Sequence, residues 1–283
     1  MSDIAKIYRD LQKVRTACPL VHNITNFVVM NNTANALLAL GASPIMAHAP
    51  EEMEELVGIV GALVLNIGTL REPWIESMII AGTAALERGL PVVFDPVGAG
   101  ASQLRTQTSR RIMDQVRPTI VRANASEIIA VAKTQEGISS QRLTAATVAA
   151  GGETRGVDST HSGTGVEDVA QALSEAAGCV TVVSGAVDIV TDGQRLAHVL
   201  GGSALMPKVT GMGCTATAVV GAFAAVLDDP FEAALSGMAV MSAAGAKAAS
   251  RSEGPGTLQL HFYDALYTLT EAELAAHVTV ERV

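Results

Sequence analysis

Residues 62–100 read ALVLNIGTLREPWIESMIIAGTAALERGLPVVFDPVGAG and contain a complete strand–helix–strand unit. Ala62 to Ile67 is a short, continuously apolar run, the pattern of a strand buried on both faces. Glu72 to about Arg88 reads as a helix, and Pro91 to Phe94 as a second strand that breaks at Asp95-Pro96-Val97-Gly98-Ala99-Gly100. Covered strands joined through helices predict an α/β fold: a mostly parallel sheet with helices on both faces.

The same alternation runs outward in both directions. Upstream, Ile4, Ile7, Tyr8, Leu11 and Val14 recur at helical spacing. Pro19-Leu-Val-His22 leads into Asn23-Ile24-Thr25-Asn26, a polar cluster with turn and N-cap character. Phe27 to Leu40 reads as a helix closed by Gly41, Pro44 to Ala47 (PIMA) as a strand, and Glu51 to Val60 as a helix. Downstream, Ile120 to Arg122 reads as a strand, Ala125 to Ala132 as a helix and Val180 to Ser184 as a strand. Asp188–Thr191 and Leu196–Val199 resemble a hairpin around Asp192-Gly193, and from Gly211 onward the chain is expected to be almost wholly helical. Lys133 to Gly165 is the least patterned segment, rich in Gly, Thr and Ser, and predicts an exposed insertion or mobile stretch. No repeat and no linker is evident, so residues 1–283 are expected to form one domain.

Composition narrows the functional classes. Apolar residues make up 49% and aromatics only 3%, so Ala and Gly dominate and elements can pack closely. A net charge of −9 argues against a nucleic-acid partner or an anionic membrane surface. Any anionic nucleotide must then be held locally, by helix ends, a few Arg or Lys and a metal. Cys18, Cys179 and Cys214 form no CxxC pair, which predicts a reduced, cytoplasmic setting. The opening MSDIAKIYRDLQKVR is charged and amphipathic, unlike a signal peptide. Gly213 to Leu227, the most apolar stretch, is short of the ~20 residues a membrane span needs.

Two sets of residues carry the chemistry. In Thr210–Ala222, TGMGCTATAVVGA, Gly211-Met212-Gly213 reads as a turn stripped for close backbone approach, with Cys214 in the first turn of the helix that follows. A helix N-terminus suits phosphate, and its field favours thiolate. Close packing of a buried helix is the competing reading, and the match to G-x-G-x-x-A lacks a convincing strand before it. The second set lies just beyond the strands, where open parallel sheets bind ligands: Asn66, Asp95, Arg122, Asn124, Glu127 and Ser184. Asp95 can hold Mg²⁺ or its waters, and Arg122 can grip a phosphate or serve as an ion-pair partner. Asn124-x-x-Glu127 also has the form of a capping box. His22 and His48 show no metal-ligand spacing.

Together the blocks PLVHNITN, NALLALGASPIMA, LNIGTL, FDPVGAGAS, VRANASEI and KVTGMGC resemble the ribokinase-like superfamily, and within it the hydroxyethylthiazole kinase family of thiamine salvage. The resemblance covers nearly the whole chain, weakens over Lys133–Gly165, and implies a three-layer α/β/α kinase that uses ATP and Mg²⁺. It implies an anion hole at Gly211, Met212 and Gly213, with Cys214 as the catalytic residue where sugar-kinase relatives carry an Asp base. Asp95, Asn124 and Glu127 match the metal site, Arg122 and Ser184 the ATP site, and Asn26, Met46 and Gly211 the thiazole site. It further implies a homotrimer with active sites between subunits, in which Asn26 and Met46 serve a neighbour. A kinase of hydroxymethylpyrimidine or a pyridoxine-like alcohol, and a non-catalytic sensor, are the alternatives to be separated.

Overall fold

In the computed structural model, which describes residues 2–149 and 164–283, the strand–helix–strand unit lies inside one nine-stranded sheet. The chain opens with helix α1 (Asp3–Ala17), which turns Ile7, Leu11 and Val14 inward. It then enters strand β1 (Leu20–Ile24), where the sequence predicts only the approach to a turn. His22 and Asn23 interrupt the apolar run that would mark a buried strand. Both are buried here because His22 Nε2 lies 2.9 Å from the Ala47 carbonyl and Asn23 Nδ2 donates to Val21 O. Helix α2 (Met30–Leu40) starts three residues later than the sequence predicts and ends on Gly41 at φ 108°. Strand β2 (Ser43–Ile45) takes the outer edge beside β1. A single 3-10 turn (Pro50–Glu52) and helix α3 (Met53–Val57) replace the longer helix expected over Glu51–Val60.

The central unit follows as read: β3 (Ala62–Asn66), α4 (Glu72–Glu87) and β4 (Val92–Asp95). Helix α5 (Gln103–Gln115) is mostly polar and has no marked apolar face in sequence; Ser102 caps it. Next come β5 (Ile120–Asn124), α6 (Ala125–Ala132), α7 (Ser140–Ala149), α8 (Thr164–Ala177) and β6 (Val180–Ser184). Helix α7 corrects the expectation of an unpatterned Lys133–Gly165 segment, of which residues 150–163 lie outside the described residues. The expected hairpin is β7 (Val187–Thr191) and β8 (Leu196–Gly201). Helices α9 (Met212–Ala224), α10 (Pro230–Ala249), α11 (Pro255–Thr268) and α12 (Glu271–His277) follow. The chain then ends in β9 (Val278–Arg282), not in helix as expected. Val278-Thr-Val280 alternates on a β-branched stretch and pairs antiparallel with β8.

The sheet order is β2-β1-β3-β4-β5-β6-β7-β8-β9, parallel through β6 and antiparallel beyond. Strand alternation divides its side chains between two cores. Val64, Val93, Ile120 and Val182 face the side packed by α1, α2 and α9–α12. Leu63, Leu65, Phe94 and Val121 face the side packed by α3–α6 and α8. The result is a three-layer α/β/α fold. Alternation also aims the site: Asn66, Asp95, Arg122 and Ser184 each stand two residues past Val64, Val93, Ile120 and Val182, so all four side chains face α9.

Candidate active site

Helix α9 is capped by Gly211, whose φ of 83° is left-handed and admits no side chain easily. A Cβ on Gly211 would meet Val29 Cγ1 at 2.5 Å, and one on Gly213 would lie 3.0 Å from Arg122 Nη1. The first intrahelical bond from this turn is Thr215 N to Gly211 O, 2.8 Å, and Met212 N donates to Val209 O at 3.4 Å, so the Gly213 and Cys214 amides open at the helix end beside Arg122. Backbone N–H groups and a guanidinium thus converge on one place.

Below them a buried polar chain links four elements. Asp95 Oδ2 accepts from Asn66 Nδ2 at 2.8 Å and from Thr217 Oγ1 at 2.7 Å, with Arg122 Nη1 at 4.0 Å. Asn66 Oδ1 accepts from Asn26 Nδ2 at 2.9 Å, and the same Nδ2 lies 3.5 Å from Cys214 Sγ. Arg122 donates from Nε and Nη2 to Ser184 Oγ at 2.9 and 2.6 Å. Asn124 and Glu127 form the capping box that their spacing suggests, with Glu127 Oε2 accepting from Asn124 N. Glu127 also reaches out of its helix: Oε1 accepts from Gly98 N at 2.7 Å, in the loop after β4.

The structure therefore gathers Asn26, Asp95, Arg122, Ser184 and Gly211–Cys214 around one helix end, with Asn124 and Glu127 joined through Gly98. Two expectations are corrected. Asn23, Thr25 and Asn26 do not cap α2, whose N-cap is Val29 without a side-chain bond; Asn26 Oδ1 accepts from Val28 N and closes a turn instead. Asn26 also touches Cys214 of its own chain. Met46, by contrast, stands half-buried just past the edge strand β2. The second concerns the thiol. Burial, and then Asp95 beside it, push Cys214 up to about 12, so the helix end does not make a ready thiolate.

The carboxylates tell the same story. Burial raises Asp95 against the opposing pull of Arg122, Thr217 and Asn66. Burial and then Asp95 push Glu127 up to about 7, against the Gly98 and Asn124 amides. Asp188, on β7, is raised to about 6 by burial, although Gly185 N and Ser242 Oγ donate to it. Asp95, Glu127 and Asp188 all feel the charge of Arg122, and all remain above the ordinary carboxylate range. Such a site is short of positive charge. No cluster of three His, Cys, Asp or Glu side chains forms a metal cage among the described residues. The oxygen donors fit a hard divalent cation held through water and phosphate.

Sequence reading missed Thr217 and Asp188. Thr217 is legible in retrospect, since it stands one helical turn past Cys214 and shares its face. Asp188 gave only a weak signal, a carboxylate inside an otherwise apolar strand.

Residues 11–272 match the model of the Hydroxyethylthiazole kinase family, across all the elements that build this site. The chain belongs to that family. A hydroxyethylthiazole kinase of Nitratidesulfovibrio vulgaris (strain Miyazaki F) is 60% identical over 98% of this chain and 97% of its own. One from Leptospira biflexa is 54% identical over 92% and 91%. The solved hydroxyethylthiazole kinase protein of Pyrococcus horikoshii superposes with a TM-score of 0.85 at 38% identity, covering 99% of both chains. A Staphylococcus aureus pyridoxal kinase in complex with pyridoxal shares the fold, with a TM-score of 0.63 at 15% identity over 94% of this chain and 98% of that one. As a member of the hydroxyethylthiazole kinase family, the protein is an enzyme that transfers a phosphoryl group.

Proposed function

We propose that this site transfers the γ-phosphoryl group of ATP to the hydroxyl of 4-methyl-5-(2-hydroxyethyl)thiazole, a step of thiamine salvage in the cytoplasm, and that residues 1–283 act as one kinase domain. The observation that carries the reading is the convergence of the α9 amides, Arg122 and the Asp95 chain on one point. Phosphoryl transfer asks for positioning and charge neutralisation more than covalent chemistry. The Gly211–Cys214 amides stabilise charge on the transferring group, and Arg122, steadied by Ser184, holds the nucleotide phosphates. Asn26, Met46 and Gly211 face the thiazole alcohol. Asp95, Asn124 and Glu127 would hold Mg²⁺ and its waters, which supply countercharge to the phosphates when bound.

Cys214 is the catalytic side chain, beside the acceptor hydroxyl and within 3.5 Å of the Asn26 amide. As a neutral thiol it orients that hydroxyl and does not deprotonate it in advance. A loose transition state tolerates this, since the alcohol proton becomes acidic only as the new P–O bond forms and the bond to ADP breaks, and it then passes to an oxygen of the transferred phosphoryl group. Thiazole-dependent ADP release, compared across hydroxymethylpyrimidine and pyridoxine, tests the reading. Equal turnover of those alcohols, or ATP binding without turnover, would overturn it.

The homotrimer with sites between subunits belongs to the same proposal. Phe27 and Val28 are 55% and 63% exposed although they adjoin Asn26, and Leu38 on α2 is 58% exposed. Exposed apolar side chains beside a site suit a partner subunit. Mixing Met46→Lys with Cys214→Ala subunits should restore activity if Met46 serves a neighbour. A fully active monomer in sedimentation would exclude the arrangement.

A further inference from the structure

Arg105 stands at the third position of α5, where a cation meets the unfavourable positive end of its own helix. Its guanidinium is nevertheless placed firmly. Nη1 donates to Ile67 O at 2.8 Å and to Val97 O at 2.6 Å, and Nη2 donates to Gly68 O at 2.9 Å. Ile67 and Gly68 form the loop after β3, and Val97 lies in the loop after β4. One side chain from a third element therefore ties two loops together.

Both loops carry site residues. Gly68 N donates to Asn66 Oδ1 at 2.9 Å, and Asn66 Nδ2 in turn donates to Asp95. Gly98 N, the amide next to the gripped Val97 carbonyl, donates to Glu127 Oε1. Gly98 has a φ of 73°, and a Cβ there would lie 3.0 Å from Arg105 Cδ, so the loop is shaped to the arginine. The planar fork matters here, because an ammonium is a point charge that cannot span both loops in one orientation.

We propose that Arg105 is a positioning residue of the phosphoryl transfer: it fixes Asn66 and Asp95 on one side and Glu127 on the other by holding the carbonyls of the loops after β3 and β4. Three of its five N–H groups, two on Nη1 and one on Nη2, are committed to backbone oxygens, so it is placed as a clamp on the loops and not as a phosphate ligand. The inference rests on the kinase reading above. Failure of that reading would appear first, as wild-type protein that releases no ADP with the thiazole.

Arg105→Ala and Arg105→Lys test it, through hydrogen exchange in the ligand-free protein and through steady-state kinetics. In Arg105→Ala, amides over residues 66–70 and 96–101 should exchange roughly tenfold faster or more, because local opening no longer breaks the arginine's grip. A misplacement of this kind should lower kcat by about 10–100-fold. KM for ATP should stay within about threefold, since no nucleotide contact is lost. Added guanidinium ion below denaturing concentration should return part of the lost kcat. A large rise in KM for ATP with kcat retained would make Arg105 a phosphate ligand and overturn the proposal. So would unchanged exchange in both loops. If Arg105→Ala does not fold, Arg105→Lys decides: it keeps the charge and loses the fork, so a folded Lys variant with wild-type kcat overturns the proposal.

Discussion

Two clusters of charge in this molecule have opposite electrostatics. At the seam between the chain's ends, Arg282 holds Glu232 through both nitrogens at 2.8 and 3.0 Å and Asp3 at 2.8 Å, while Lys6 joins Glu232 and Asp10. Burial alone would raise Glu232, but its bonds to Arg282 and Lys6 outweigh that and hold it below the ordinary range. The hydrogen bond to Glu232 raises Arg282. Around Arg122 the same residue types move the other way: Asp95, Glu127 and Asp188 are all raised, and the Cys214 thiol with them. Ionised carboxylates strengthen the seam and strain the site. A cluster built for stability supplies enough cations, whereas one built to receive cations and phosphates leaves them out.

The largest effect should come from Asp95→Asn. The amide keeps the shape and can still accept from Thr217, but it removes the charge that Arg122 faces. We expect kcat to fall by ~10²–10³-fold, the range for loss of one preorganised electrostatic group. The melting temperature of the metal-free protein at pH 8 should hold or rise. A large loss of stability with modest loss of kcat would make Asp95 a structural anchor and dissolve the contrast with the seam.

Cys214 sharpens the contrast from the neutral side. Cys214→Ala should lower kcat by about 10–100-fold, at the low end for proton-transfer groups, because little early deprotonation is needed. Cys214→Asp should do no better than Ala. A second carboxylate buried beside Asp95 meets the same penalty that drives the thiol up to about 12. A near-wild-type Asp variant would show that the helix end, and not Asp95, governs the potential at this position.

Much of the fold was legible because its strands are apolar runs and its helices are periodic, as at β3, α4 and β4. The parallel order and the hairpin followed from those patterns. Strand β1 was not legible, since His22 and Asn23 are polar residues whose burial depends on long-range neighbours. Helix α5 hid because it is mostly polar along its length. Strand-end position found Asp95 and Arg122, and alternation explains why they share a face with Ser184. What spacing could not show was the sign of the thiol shift. That depends first on burial and then on Asp95, which is far from Cys214 in sequence but acts on it in the fold.

Glu127 offers a reading in stability alone. Its folded pKa is about 7 against an ordinary 4.5, so the folded state binds the proton more tightly. Its contribution is then greatest below pH ~4.5 and is lost as pH rises through ~7, amounting to about 3 kcal/mol for a shift of this size. Glu127→Gln loses part of the capping box, a pH-independent cost of about 1 kcal/mol. It should also lose the pH slope. Urea unfolding of metal-free wild type and variant at pH ~4 and ~8 measures this. The variant should be the less stable at the lower pH and gain on wild type at the higher. Parallel slopes would mean that Glu127 is as well neutralised as Glu232.

The smallest effect belongs to the seam. Arg282→Gln removes the bonds to Asp3 and Glu232 but leaves Lys6 on Glu232, and Arg282 is itself 35% exposed. Solvent screening limits such partly exposed pairs to about 1 kcal/mol or less, which for a chain of this size is a shift of ~2–4 °C. The loss should shrink at high salt, because exposed charges are screened there. It should also vanish at acid pH. Glu232 is held below its ordinary value, so its contribution is present above pH ~4.5 and fades as the carboxylate protonates. The kcat should not change, since the seam lies at the junction of α1, α10 and β9 and not at the helix end where Arg122 stands. Thermal melts at low and high salt, with kcat measured alongside, decide it. A fall in kcat would mean that the seam and the site are mechanically coupled, and a salt-independent loss would mean that Arg282 acts through packing on Phe231, whose ring lies 6.0 Å away, and not through charge.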